Sequence, residues 1–300
     1  MTNKIEVRNL KKTYDNFVLG ENSFDIKKGF ITGFIGKNGM GKTTTIKSLL
    51  SLINYHGEIF VDGQDAKNLN YLQDVGIIMD DSFLSKDWKI SMVNEAMKCG
   101  YENWQEEKFF DYIKKFGIEK DKKVRELSRG MKIKLMFSIA LSHKANLLIL
   151  DEPTSGLDPS MRDDLTDMLK EFVEDENNTV LFSTHITEDL DRIADYIIFI
   201  DQGKIVEECP KEEFLEKYFV LKGGEEDRYL LKDFEILGIK ASDTSFEALV
   251  KNIDRGKISD ELILEKPDIN KILVLYGRKK WRTLKKLWGW IIFQLSPISQ

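Results

Sequence analysis

Apolar positions along this chain follow two periods, and the switches between them mark out its elements. Phe30 to Ile35 is a largely apolar run of strand length and Leu147 to Leu150 an unbroken one, the pattern of strands buried on both faces of a sheet. After the first run the period turns helical, with Ile46, Leu49, Leu50 and Ile53 recurring on one face. It stays helical from about Phe83 to Lys144. There Phe109, Phe110, Ile113 and Phe116 share a face that Gly117 closes, and Met131, Leu135 and Ile139 mark the next helix. Met161, Leu165, Met168, Leu169 and Phe172 predict another amphipathic helix, followed by strands at Thr179–Ser183 and Tyr196–Asp201. Gln202-Gly203 is a tight turn into a strand over Lys204–Glu208. The start is β-rich to about Gly29, opening on Ile5-Glu6-Val7, and Gly57 to Gly63 reads as a further strand. Beyond Tyr218 this order stops. Gly223-Gly224 before Glu225, Glu226, Asp227 and Arg228 reads as an exposed junction. About Tyr229 to Gly277 mixes strand and helix signals, including Ile272-Leu273-Val274-Leu275.

The candidate chemistry sits where these elements join. Gly36-Lys37-Asn38-Gly39-Met40-Gly41-Lys42-Thr43 lies between the Phe30–Ile35 strand and a helix, the context a phosphate-binding P-loop requires. Its glycines let successive N–H groups face a polyphosphate, and the helix N-terminus adds its positive dipole end. Lys42 would reach the outer phosphates and the Thr43 hydroxyl would ligate Mg²⁺. Leu147 to Leu150 ends in Asp151 and Glu152, at the strand end where an open α/β sheet places its ligands. Asp151 is placed to hold the Mg²⁺ shell and Glu152 to orient or deprotonate an attacking water. By itself such a pair could simply cap a turn. A P-loop about a hundred residues upstream argues for the catalytic role. Leu127-Ser128-Arg129-Gly130-Met131 opens the Met131–Ile139 helix, with Ser128 as its N-cap.

Together these motifs, in unbroken order over residues 1 to about 220, resemble the ATPase subunit of a bacterial ABC transporter. The likeness extends to Ser155-Gly156-Leu157-Asp158, similar to the family's D-loop, and to Phe182-Ser183-Thr184-His185, similar to its switch histidine. It implies an α/β fold: a P-loop NTPase (RecA-like) core with a β-rich N-terminal part and a helical subdomain over about 83–144 bearing the signature. A small C-terminal α+β extension over 221–277 completes it. ATP and Mg²⁺ are the implied ligands. Gly36, Asn38, Gly39, Gly41, Lys42, Thr43 and Thr44 would surround the phosphates, with Thr43 and Asp151 on the metal and Glu152 and His185 at the γ-phosphate. Tyr14 stands where the family stacks an aromatic on adenine, although an aromatic in a half-buried hairpin is also ordinary. Ser128, Gly130 and Asp158 would meet the ATP of a second cassette, homodimeric or heterodimeric. The family signature is usually Leu-Ser-Gly-Gly-Gln, so Arg129 and Met131 depart from it while Leu127, Ser128 and Gly130 are kept. Asp80 aligns with the position where a glutamine touches Mg²⁺ and the water. An acidic residue there resembles ABC-2-type exporters of antibiotics and peptides, with ATPase activity retained.

Composition narrows the setting. Asp and Glu number 51 against 45 Lys and Arg, a net charge of −6, which opposes a general nucleic-acid binder. Cys99 and Cys209 lack metal-ligand spacing and read as incidental thiols in a reducing compartment. No signal peptide is evident, and no apolar run reaches the roughly eighteen residues of a membrane span. The resemblance therefore calls for an integral membrane permease as a separate partner, with this chain on the cytoplasmic face of the cell membrane. Phe83, Leu84 and Trp88 are candidates for that contact, or for ordinary core of the helical subdomain. The last residues, 278–300, interleave Arg278, Lys279, Lys280, Arg282, Lys285 and Lys286 with Trp281, Trp288 and Trp290. That suits a helix in a lipid interface or one packed on its own domain. A soluble ABC ATPase acting on ribosomes or DNA is disfavoured, since neither a second cassette nor a long coiled-coil insert is present. An importer ATPase is disfavoured by Asp80 and by this tail. An amphipathic peptide, an antibiotic or a lipid remain open as cargo.

Overall fold

Short apolar runs suit the middle of a sheet with both faces covered, and there the structure puts them. In this computed structural model the described residues are 2–79, 84–254, 256 and 258–278. The chain divides into two compact units, Met1–Pro210 and Lys211–Gln300. In chain order the first contains β1 (Asn3–Tyr14), β2 (Phe17–Lys27), β3 (Ile31–Ile35), α1 (Lys42–Leu49), β4 (His56–Val61), β5 (Gln64–Asp65), β6 (Val75–Met79), α2 (Ile90–Gly100) and α3 (Glu106–Lys115). It continues with α4 (Arg129–Ser142), β7 (Leu147–Asp151), α5 (Pro159–Val173), β8 (Thr179–Thr184), α6 (Thr187–Ile193), β9 (Tyr196–Asp201) and β10 (Lys204–Pro210).

Six strands form the central sheet in the order β10-β9-β3-β8-β7-β6, parallel throughout except for β10. Every residue of β3, β7 and β8 is buried. An antiparallel sheet, β2-β1-β4-β5, supplies the β-rich start, and its inward residues Ile5, Val7, Leu10, Phe24 and Ile59 share one core with Phe34, Ile46 and Leu147. Lys4 ties this layer down. Its buried ammonium donates to Asp62 Oδ2 (2.6 Å) and to Asn146 Oδ1 (2.7 Å), just ahead of β7. The helical subdomain has its own core, in which Phe109, Ile113, Leu135 and Ile139 are buried and Phe110 and Phe116 pack at the edge. Leu84 is buried in that core and the half-buried Trp88 packs against it. Phe83 lies outside the described residues.

Two expectations change. The first helix stops at Leu49, leaving Ile53 beyond it. Ser51 adopts a left-handed conformation (φ +53°), Leu52 N–H bonds back to Lys47 O and Ser51 N–H to Ser48 O, a helix-closing motif built without glycine. The first unit also ends at Pro210, before the end of the motif-bearing stretch at about 220. Residues 211–224 form α7 (Lys211–Lys217) and β11 (Tyr218–Gly224), and β11 is an inner strand of the second unit's sheet. That sheet is antiparallel, with β12 (Ile236–Ala241), β13 (Ser245–Lys251) and β14 (Ile263–Glu265) in the order β12-β13-β11-β14. The ambiguous Ile272–Leu275 run is helical, in α8 (Ile269–Leu275), whose N-cap Asp268 accepts Lys271 N–H at 2.6 Å. The tail from residue 279 onward lies outside the described residues, and among those described no helix is long and apolar enough to cross a membrane.

Candidate functional site

Parallel strands deliver their carboxyl ends to a single edge of the sheet, and register fixes what meets there. Ile35 pairs with Thr184, Ser183 with Asp151, and Asp151 with Met79. The loop after β3, the carboxylates ending β7 and the histidine after β8 therefore start from adjacent rungs. Asp80, next after Met79, is outside the described residues.

The P-loop takes the shape its glycines permit. Gly39 and Gly41 adopt φ +80° and +110°, and a Cβ on Gly36 would fall 2.5 Å from the Ile200 carbonyl of β9. No side chain caps α1 and its first turn holds no acid, so its N–H groups and dipole are available to an anion. Asn38, Gly39 and Thr43 are exposed and Thr44 half-buried, while Lys42 is 5% exposed. Lys42 Nζ donates to Gly36 O (2.7 Å) and pairs with Glu152 Oε1 (3.0 Å). The other Glu152 oxygen accepts from His185 Nδ1 (2.5 Å) and from the His185 amide (3.3 Å). Three residues expected at the reaction centre thus share one carboxylate. Asp151 is buried beside them.

Ser183 bonds both residues, the Asp151 carboxylate and the Glu152 amide. Its Oγ donates to Asp151 Oδ1 (2.5 Å) and accepts Glu152 N–H (3.3 Å), which also reaches Ser183 O (3.0 Å). Sequence reasoning passed over Ser183, and the signal was its place two residues before His185 at a strand end. Among the described residues no group of three or more His, Cys, Asp or Glu could hold a metal ion. Thr43 and Asp151 offer oxygen ligands without making a cage, a donor set suited to Mg²⁺ that takes its remaining ligands from phosphates and water.

Tyr14 ends β1 with 42% of its surface exposed and Lys12 Nζ 5.3 Å from its ring centre. Its hairpin partner Phe17 lies against the P-loop, 3.0 Å from where a Gly41 Cβ would be. Ser128, Gly130 and Asp158 gather elsewhere, around a cavity of about 240 Å³. Ser128 caps α4 through Met131 N–H (3.2 Å), Asp158 caps α5 through Met161 N–H (3.0 Å), and Gly130 packs on Met161. These three share no hydrogen bond or ion pair with Lys42, Glu152 or His185.

Comparison with known proteins places this arrangement. Residues 19–155 match the family described as ABC transporter. A lantibiotic transport ATP-binding protein of Streptococcus pyogenes is 33% identical over 221 residues, covering 72% of this chain and 95% of that protein. The chain belongs to the ABC transporter ATP-binding proteins. An ABC transporter ATP-binding protein of Methanocaldococcus jannaschii is 35% identical over 213 residues, 69% of this chain and 77% of that protein. The fold is that of a solved ATP-binding subunit of an ABC transporter, with a TM-score of 0.65 at 23% identity over 72% of this chain and 92% of that one. This ABC subunit is accordingly an ATP-binding, ATP-hydrolysing component of a transporter, with the P-loop NTPase fold its motifs indicated.

Proposed function

We propose that this ABC subunit is one half of a two-cassette ATP clamp that drives a separate membrane-spanning permease, exporting an amphipathic peptide or a related antibiotic or lipid. The observation that carries the clamp is the division of the predicted site into two clusters. Lys42, Glu152 and His185 meet at the sheet edge, while Ser128, Gly130 and Asp158 line a cavity of their own. Two copies facing each other would bring the second cluster of one to the nucleotide held by the first cluster of the other.

Within one cassette the chemistry follows from the groups present. Tyr14 presents an exposed ring for the adenine. The P-loop amides and Lys42 bind the phosphates and hold the charge that grows on them as the outer bond breaks. Glu152 orients a water and takes its proton. His185, bonded to the same carboxylate, fixes its direction. Mg²⁺, when bound through Thr43 and Asp151, would neutralise phosphate charge. Hydrolysis removes the shared ligand, so the pair opens and the permease returns to its other state. The lantibiotic relative supports peptide cargo. The subunit would sit on the cytoplasmic membrane face, held by the permease and by the basic aromatic tail after Gly277, with residues 221–277 as an accessory domain.

Tagged Glu152→Gln protein, solubilised with detergent in the presence of ATP and Mg²⁺, should co-purify a polytopic membrane protein in near-stoichiometric amount. Recovery of ribosomal or DNA-repair proteins alone would overturn the exporter reading.

A further inference from the structure

Arg129 is the first residue of α4, between Ser128 and Gly130. It lies over Gly156, whose left-handed conformation (φ +71°) carries no side chain. A Cβ there would stand 3.6 Å from Arg129 Cδ and 3.7 Å from Nε, ordinary van der Waals contact. The same residue, whose Nε and Nη2 are buried, lines a void of about 20 Å³ between Lys132, Ile133 and Met136 of its own helix and Ile78, Met79 and Pro153. Pro153 follows Glu152 directly, and Met79 pairs in register with Asp151. Arg129 therefore lies beside Gly156 and shares a void with Pro153, the residue after Glu152, while its sequence neighbours form the second cluster. A glycine in its place would make none of these contacts.

We propose that Arg129 is a positioning residue that ties the start of α4 to the turn carrying Glu152, so that ATP bound at Lys42 and Glu152 sets the placement of Ser128 and Gly130 in the same chain before a second cassette arrives. This rests on the reading above that Ser128 and Gly130 are offered to a second cassette. The guanidinium plane and its stem act as a strut. When the Glu152 carboxylate gives up Lys42 to a phosphate, the 152–156 turn shifts and α4 follows.

The test is amide hydrogen exchange of the full chain with Glu152 intact, kept dilute enough to remain unpaired, with and without a non-hydrolysable ATP analogue. Protection of the Arg129–Leu135 amides should rise about threefold or more on ATP binding. Arg129→Met should abolish that rise while ATP affinity stays within about twofold, and Arg129→Lys should keep part of it. In the otherwise wild-type chain Arg129→Met should lower kcat about tenfold at unchanged KM, a split that loss of general stability does not produce. ATP binding without a change at α4, or a rise that survives Arg129→Met, overturns the strut and leaves the clamp standing. Failure of the chain to bind ATP at all would overturn both.

Discussion

Glu152→Gln should change two properties in opposite directions. Glu152 Oε1 holds Lys42 Nζ at 3.0 Å, with Lys42 5% and Glu152 20% exposed, so an incoming phosphate competes with an internal carboxylate for the same ammonium. The bare attraction of two charges at that distance is about 5 kcal/mol at an effective dielectric of about 20. Much of it cancels, since Lys42 keeps the Gly36 carbonyl and a glutamine oxygen still accepts a hydrogen bond. The net worth of a charge-assisted bond, about 1.5–3 kcal/mol, is the better measure. At about 1.4 kcal/mol per factor of ten, ATP should bind the single Glu152→Gln chain about 10- to 100-fold more tightly than wild type. Turnover should fall about 100- to 10,000-fold with the loss of the base. Affinity is read by titrating a fluorescent ATP analogue at protein concentrations too low for pairing, and turnover by phosphate release. Unchanged or weaker affinity would refute the competition, because removing the rival carboxylate must favour the phosphate if the pair is what holds Lys42.

Tyr14→Ala should weaken ATP binding by about 5- to 100-fold, the worth of one base–aromatic stack, and leave inorganic triphosphate binding unchanged; equal losses for both ligands would remove Tyr14 from the adenine. Ser128→Ala should lower stability by about 1 kcal/mol through loss of the α4 cap and weaken ATP-dependent pairing seen by light scattering, with single-chain ATP affinity nearly intact. Asp62→Ala leaves the buried Lys4 ammonium with only Asn146 and should cost about 3 kcal/mol in urea unfolding, against which a loss under about 0.5 kcal/mol would count. Burial pushes the His143 imidazole below its ordinary value of 6.5, against a smaller opposing effect of its Gln73 carbonyl bond (3.0 Å) and of Asp74. The folded state then binds fewer protons than the unfolded one, so the contribution of His143 is intact above 6.5 and is lost as pH falls through the depressed value. Thermal midpoints should drop from about pH 7.5 to about pH 5.5, and His143→Phe should flatten that drop; equal slopes would assign it to other groups.

Much of this was legible because buried parallel strands and capped helices write themselves locally. Leu147–Asp151 and Tyr196–Asp201 are strands over those residues, and Ser128 caps the helix its position marked. The misplaced ends have two different causes. Ile53 continues the helical apolar pattern, but closure at Ser51 depends on backbone bonds that a serine does not announce. Tyr218 to Gly224 follows the motif-bearing stretch in sequence and belongs to the next unit because its partners, Ser245–Lys251 and Ile263–Glu265, come later in the chain. The motifs named Lys42, Glu152 and His185 separately. That one carboxylate bridges the other two is a matter of the sheet's register, which no single motif contains.

Register alone would not have sufficed. Along a strand successive side chains point to opposite faces, so Asp151 and Glu152, continuing as β, could not both serve one site. The chain solves this at Glu152 itself, which leaves β7 with φ +52°, a conformation that costs a non-glycine residue about 1–2 kcal/mol. The left-handed turn redirects its carboxylate from the far face onto Lys42 and His185 while Asp151 stays in the sheet. Two bonds from the Glu152 amide, to Ser183 O and Oγ, hold the turn, and the same Oγ donates to Asp151. One hydroxyl on β8 therefore links the Asp151 carboxylate to the turn that aims the Glu152 carboxylate. The strained Glu152, its neighbour Asp151 and Ser183 opposite them form one device, each held in place by the other two.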